Sequence, residues 1–206
     1  MTKQQQFQLV EWMLALLVTA LSFFVWFDVR GDGNLSIYDV FPPLGLIAFG
    51  LMWTHYIGGA LRRMWGIKKQ SNDMYWSVST GAVLVLIVAH PLLLNYGLIQ
   101  DGLGLPPASY SAAYPGKEAI LLLGTLSLFA FLAFELRRWY GTRSWWHIVD
   151  KIQLVAMAAI FTHALILGRE LTVGWFQVVW WLYGISLVAA VVYSYWYDKQ
   201  TNAKEA

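Results

Sequence analysis

Four histidines carry most of the chemistry this chain can offer. It has no cysteine, so disulfides, iron–sulfur clusters, thiolate zinc sites and covalently attached c-type haem are excluded. His90 sits in the run VLIVAHPLLLNYG and His163 in WWHIVDKIQLVAMAAIFTHALILGR, which spans 145–169. Both runs are apolar enough to cross a bilayer. An ionisable side chain inside such a run is costly to bury and marks a functional position by default. Two neutral imidazoles presented at one depth by two helices would clamp a planar haem; the alternative is two separate histidines, each hydrogen-bonded to a neighbouring helix. His55 and His147 lie elsewhere. His55 is seven residues before Arg62 and His147 is at the edge of an apolar run. They read as a packed and an interfacial histidine, or as ligands of a second haem.

The elements that would hold these residues are transmembrane helices. The chain is 58% hydrophobic and 13% charged, against roughly 25% charged in soluble domains. Its apolar residues fall in runs near the length of about 20 that a spanning helix needs. Six spans are expected at about 9–27, 43–61, 75–98, 118–136, 146–168 and 173–197, giving an all-α membrane protein, a six-helix bundle forming a single domain over 1–206. The first helix is expected to be retained, since no small-residue cleavage site follows MTKQQQFQLVEWM.

Charge gives the orientation. Lys3, Arg62, Arg63, Lys68, Lys69, Arg137, Arg138, Arg143, Lys151, Lys199 and Lys204 fall on one side of this arrangement; only Arg30, Lys117 and Arg169 fall on the other. By the positive-inside rule both termini are expected in the cytoplasm. Trp65, Trp76, Trp139, Tyr140, Trp145, Trp146, Tyr193, Trp196 and Tyr197 gather near the inner ends, as an interfacial aromatic belt does. With about 1.5 Å rise per residue, His90 lies roughly 22 Å and His163 roughly 25 Å from the inner ends of their spans. Both are thus in the outer half of the bilayer. The outer loop 28–39, DVRGDGNLSIYD, has calcium-loop spacing at Asp28, Asp32, Ser36 and Asp39, with Gly33 at the turn. Arg30 stands where an oxygen ligand belongs, so an acidic hairpin is the expectation. The loop 100–116, with Pro106, Pro107, Tyr110 and Tyr114, either caps a site or only connects.

GAVLVLIVAHPLLL around His90, the WWHIV entry into the fifth span, and FTHALILGRELTVGW around His163 together resemble the ferric-reductase-like transmembrane domain family. That family includes the membrane halves of NADPH oxidases and the haem subunits of periplasmic sulfoxide reductases. The resemblance covers about 44–197. It implies transmembrane electron transfer through b-type haem with His90 and His163 as axial ligands. Two-haem members carry a second histidine pair at the positions that here are Trp76 and Asp150. One haem is therefore expected; a second is possible if His55 and His147 form a shifted inner site. Arg169 is a candidate partner for a haem propionate, and Trp76 a candidate relay, or seat for a flavin or quinone at the inner face.

No G-x-G-x-x-G follows a predicted strand, so the electron donor is expected to be separate: a flavoprotein, a free flavin or a membrane quinone. The acceptor would lie outside, as ferric iron, oxygen or a periplasmic reductase. The expected location is a cell membrane, with a bacterial inner membrane as the natural setting. The alternatives are a cytochrome b561-like haem anchor exchanging electrons with quinone, and a non-redox six-helix transporter or scaffold. A basic stripe for nucleic acid is missing.

Overall fold

In the computed structural model every regular element among the described residues is a helix. The structure describes residues 1–31, 33–68, 73–136 and 140–205. Asp32, Lys69, Arg137, Arg138 and Trp139, used above, lie outside them, as does the side chain of Lys204. The long helices are α1 (Lys3–Arg30), α2 (Ile37–Met64), α3 (Met74–Gln100), α5 (Glu118–Phe134), α6 (Trp146–Leu167) and α7 (Gly174–Glu205); α4 (Ala108–Ala113) is a single short turn, and a 3-10 helix, Arg169–Thr172, joins α6 to α7.

Local chemistry sets several of the ends. Thr2 and Gln5 cap α1 reciprocally: the Gln5 amide N–H donates to Thr2 Oγ1 at 3.2 Å, and the Thr2 N–H donates to Gln5 Oε1 at 2.9 Å. Such a capping box satisfies two donors that the first turn otherwise orphans. Asp73 caps α3 by accepting from the Trp76 N–H at 3.2 Å. Within α2, Pro43 has no N–H to give the carbonyl one turn back, that of Asp39. That carbonyl instead accepts from Trp26 Nε1 at 2.6 Å, which ties α1 to the start of α2.

Among the described residues five helices are long and apolar enough to cross a membrane: α1, α2, α3, α6 and the 174–201 part of α7. The remaining apolar helix, α5, has 17 residues. It reaches about 25 Å, short of the roughly 30 Å hydrocarbon core. The expected span at 118–136 is therefore present as a helix of marginal length, two residues shorter than expected. Every long helix except the central α2 turns apolar side chains outward along its length, as at Leu16, Val85, Phe129, Val155 and Ile185, all more than half exposed. In water this surface would aggregate; in lipid it is the ordinary outer face of a spanning bundle.

Helix α2 is the centre. Its nine consecutive residues from 46 to 54 are buried, and it packs on α1, α3 and α7. Gly50 lets Val18 of α1 approach so closely that a Cβ there would stand 2.9 Å from the valine Cβ. Small residues at helix crossings do the same work in membranes generally. Phe49 of α2 sits 4.4 Å from Trp180 of α7, and Trp180 stacks on Phe161 of α6 at 5.7 Å and 14°. This aromatic cluster joins the α5–α6 pair to the rest.

Candidate cofactor site

Two helical hairpins, α2–α3 and α5–α6, build the same local arrangement. In the first, His90 of α3 donates from Nδ1 to the Phe41 carbonyl of α2 at 2.8 Å. In the second, His163 of α6 donates from Nδ1 to the Ile120 carbonyl of α5 at 2.9 Å. A carbonyl only accepts, so in both rings Nδ1 carries the proton and Nε2 keeps its lone pair. Among the described residues the hydrogen bond of each ring is the one at Nδ1, and none reaches either Nε2. Four residues beyond each accepting carbonyl stands a glycine, Gly45 and Gly124. A Cβ at Gly45 would lie 2.9 Å from His90 Cε1, and one at Gly124 would lie 2.7 Å from His163 Cε1. The carbonyl, the glycine one turn on, and the facing histidine recur in the two hairpins.

Both histidines line a single cavity of about 560 Å³, within the roughly 300–1,000 Å³ of cofactor and ligand pockets. Its walls are mainly apolar, with Leu46, Phe49, Leu94, Leu128, Ile160 and Trp180 among them. The loop 100–116 contributes two of its walls: Tyr110 and Tyr114 line the cavity, so this segment does more than connect. Tyr38 at the same end donates to Asp101 Oδ2 at 2.5 Å and fastens α2 to the end of α3.

Arg169 stands at the rim. Its Nη2 donates to Asp39 Oδ1 at 2.7 Å, and its Nε lies 3.6 Å from Glu170 Oε1. The guanidinium is thus already held by two carboxylates, and a propionate would join an existing network there. Glu170 is almost fully buried; burial pushes its carboxyl above the ordinary carboxylate range, partly opposed by Arg169. Asp39 is engaged in full: it also accepts from the Ser36 N–H at 3.0 Å and hydroxyl at 2.6 Å. Asp28 accepts from Trp175 Nε1 at 3.3 Å. Of the calcium-loop carboxylates, Asp28 and Asp39 therefore serve helix and loop contacts, Asp32 lying outside the described residues, and no group of three or more metal-binding side chains occurs among the described residues.

The other two histidines do not meet. His147 is exposed and bonds the Ser144 carbonyl at 2.6 Å through Nδ1. His55 lines a second cavity, of about 800 Å³, together with Trp76 and Asp150. Its ring packs on Trp76 with centroids 4.3 Å apart. This cavity lies at the end of the bundle that carries Arg62 and Arg63, and it shares Met52, Ile87 and Phe131 with the first.

Sequence reasoning missed Glu11. It is 3% exposed inside α1, and Arg62 lies between it and Asp73, at 3.3 and 2.8 Å. The signal was present: an acidic residue inside the apolar run 9–27. The glycines at 45 and 124 had no such signal, since their partners are on other helices. The chain matches no known family model, no curated protein and no solved structure.

Proposed function

We propose that the chain is a membrane electron-transfer protein that holds one b-type haem between His90 and His163, each through Nε2. The observation that carries this reading is the pair of histidines on one apolar cavity, each with Nδ1–H spent on a neighbouring helix carbonyl and Nε2 left as a bare lone pair. Outer partners that orient a ligating imidazole through its other ring nitrogen are the usual support of a metal-bound histidine. A histidine serving only to join two helices has no need of a common cavity, nor of a glycine beneath each ring. Bound haem would supply one-electron transfer; the residues fix ligand geometry, exclude water and set the apolar surroundings. The local order of motifs like that of ferric-reductase-like domains supports the same reading.

The bundle spans a cell membrane six times with both termini in the cytoplasm. Eleven of the fourteen basic residues stand on that side, and α5 serves as a short fourth span. The His90–His163 cavity then lies toward the outer face and delivers electrons to an outer acceptor. The donor approaches from the opposite end.

The test is haem per protein by pyridine haemochrome, with spectra, on the purified protein and on four alanine variants. One low-spin haem is expected. His90→Ala and His163→Ala should each lose it or become high-spin, while His55→Ala and His147→Ala keep it. Full low-spin haem in both His90→Ala and His163→Ala would overturn the assignment. A non-redox helical bundle would show no b-type α band in any form.

A further inference from the structure

We propose that the second cavity is a quinol-oxidation site, in which His55 and Glu11 accept the hydrogen bonds of a hydroquinone's two hydroxyl groups. Electron delivery from this site rests on the haem reading above; binding does not.

The tautomer of His55 is fixed by its neighbours. Ser79 Oγ donates its only proton to the Tyr75 carbonyl at 2.6 Å. It can therefore only accept from His55, whose Nε2 lies 2.7 Å away. So Nε2 carries the proton and Nδ1 is the bare acceptor, the reverse of His90 and His163. Among the described residues the hydrogen bond of this ring is the one at Nε2, and none reaches Nδ1. A hydrogen bond between Thr54 and Tyr75 fastens α2 to α3 beside this ring. Glu11 lines the same cavity; its Oε1 receives Arg62, while its Oε2 is buried with no partner. The Thr80 hydroxyl, also on the cavity, is buried and unpartnered. Unmade hydrogen bonds at buried polar groups are costly, roughly 1–3 kcal/mol each, and Glu11 Oε2 and the Thr80 hydroxyl, both buried and unpartnered, belong to side chains that line one space with His55.

Their chemistry selects the ligand. Of the four unpartnered groups, His55 Nδ1 and Glu11 Oε2 accept, the Thr80 hydroxyl can do either and Arg62 Nε donates; the two acceptors match a molecule that brings two donors. A hydroquinone brings two O–H groups at opposite ends of an apolar ring, and the cavity has aromatic walls at Trp76, Phe131 and Phe134. A phosphate-bearing flavin would need a free cation. Among the described residues both arginines of the cavity are paired with carboxylates: Arg62 Nη2 with Glu11 and Asp73, leaving its Nε buried without a partner, and Arg63 with Asp198 through two bonds of 2.9 and 2.8 Å. A second haem fits poorly, because the free nitrogen of His55 is Nδ1, the one crowded by its own backbone. Access from lipid is available along α6, where Leu154 lines the cavity and is 38% exposed.

Oxidation there balances as hydroquinone giving quinone, two protons and two electrons. Both O–H bonds break. One proton passes to His55 Nδ1 and the other to Glu11 Oε2, and both return to the aqueous end of the cavity. A haem held by His90 and His163 would take the two electrons one at a time, and Met52, Ile87 and Phe131 are the residues that line both cavities.

The probe is decyl-ubiquinol with its photoreactive azido-quinone analogue, on the full-length protein in nanodiscs, both haem-loaded and haem-free. Labelling is expected on α2 and α3 around His55, Trp76 and Thr80, suppressed by decyl-ubiquinol and not by FMN. His55→Phe keeps a ring against Trp76 and should weaken half-saturation about tenfold, the worth of one such hydrogen bond. Ser79→Ala should weaken it and move the pH profile of quinol-driven reduction, because the proton of His55 is no longer fixed on Nε2; Ser79→Thr should restore both. Labelling in haem-free protein supports the site even where no haem is found, so the two readings fail separately. Labelling elsewhere, displacement by FMN, or unchanged half-saturation in folded His55→Phe would overturn it.

Discussion

Gly124 of α5 lies so close under the His163 ring that a Cβ on it would stand 2.7 Å from both Cε1 and Nδ1. Gly45 stands in the same relation to His90, at 2.9 and 3.0 Å. Real Cβ atoms do not approach ring atoms so closely, so Gly45→Ala or Gly124→Ala must push its imidazole off the carbonyl that orients it. Each should destabilise the protein by about 1–3 kcal/mol, as overpacking does, and should lower haem occupancy or convert the spectrum to high-spin. Gly81→Ala is the control. Its Cβ would meet nothing within 4 Å, and a helix-interior alanine should leave stability unchanged or raise it by roughly 0.5–1 kcal/mol. Thermal denaturation in detergent and the reduced-minus-oxidised spectrum read both effects.

Arg62 is the hinge of the electrostatics at its end of the bundle. With 13% of its side chain exposed, it balances Glu11 and Asp73, both nearly buried. Arg62→Met leaves two carboxylates with no cation and should cost about 3–5 kcal/mol, the usual penalty for breaking a buried pair from one side. Adding Glu11→Gln and Asp73→Asn to Arg62→Met should recover most of it. Equal melting temperatures for the single and triple variants would mean the cluster is solvated.

Glu170 gives the protein a pH dependence of definite sign. Burial raises its folded carboxyl above the usual 4.5, so between those two values the folded state binds more protons than the unfolded one. Stability from this group is fully present below pH 4.5 and falls as pH rises through the raised value. Glu170→Gln should flatten that part of the profile and stabilise the protein at neutral pH. A profile unchanged by Glu170→Gln would mean that the carboxylate is hydrated.

Orientation is open to direct chemical test because the chain has no native thiol. Lys68→Cys and Ser111→Cys both replace exposed residues. In intact cells a membrane-impermeant maleimide should label Ser111→Cys at once and Lys68→Cys only after permeabilisation. The reverse pattern would invert the membrane orientation and exchange the faces on which donor and acceptor are sought.

Hydropathy runs alone were enough to place the helices, since lipid exposure leaves long apolar stretches whatever the tertiary contacts. The histidines stood out for the same reason: an ionisable group in such a stretch is rare. What the one-dimensional reading could not supply was pairing between helices. Gly45 and Gly124 look like any small residues until the rings opposite them are placed, so the recurrence of carbonyl, glycine and histidine in two hairpins was invisible as a sequence repeat. Arg62 was counted only as a positive-inside charge, though it is held between two carboxylates. Asp39 was counted toward a calcium loop, though its oxygens belong to Ser36 and Arg169. In both cases spacing along the chain described a neighbour that folding replaced.

Met52, Ile87 and Phe131 border both cavities, and none of these side chains has a hydrogen to donate. These three side chains offer a proton no donor to pass along, whereas an electron needs no chain of donors to cross a few side chains. Charge passing between the two compartments would therefore travel without its compensating proton. Its passage would do electrical work against the membrane voltage, up to about 2.3 kcal/mol per charge per 100 mV for a full crossing. On that footing the three side chains act as an insulator, and a polar replacement such as Met52→Gln would be expected to make the protein leak protons, measurable as acidification of liposomes carrying it.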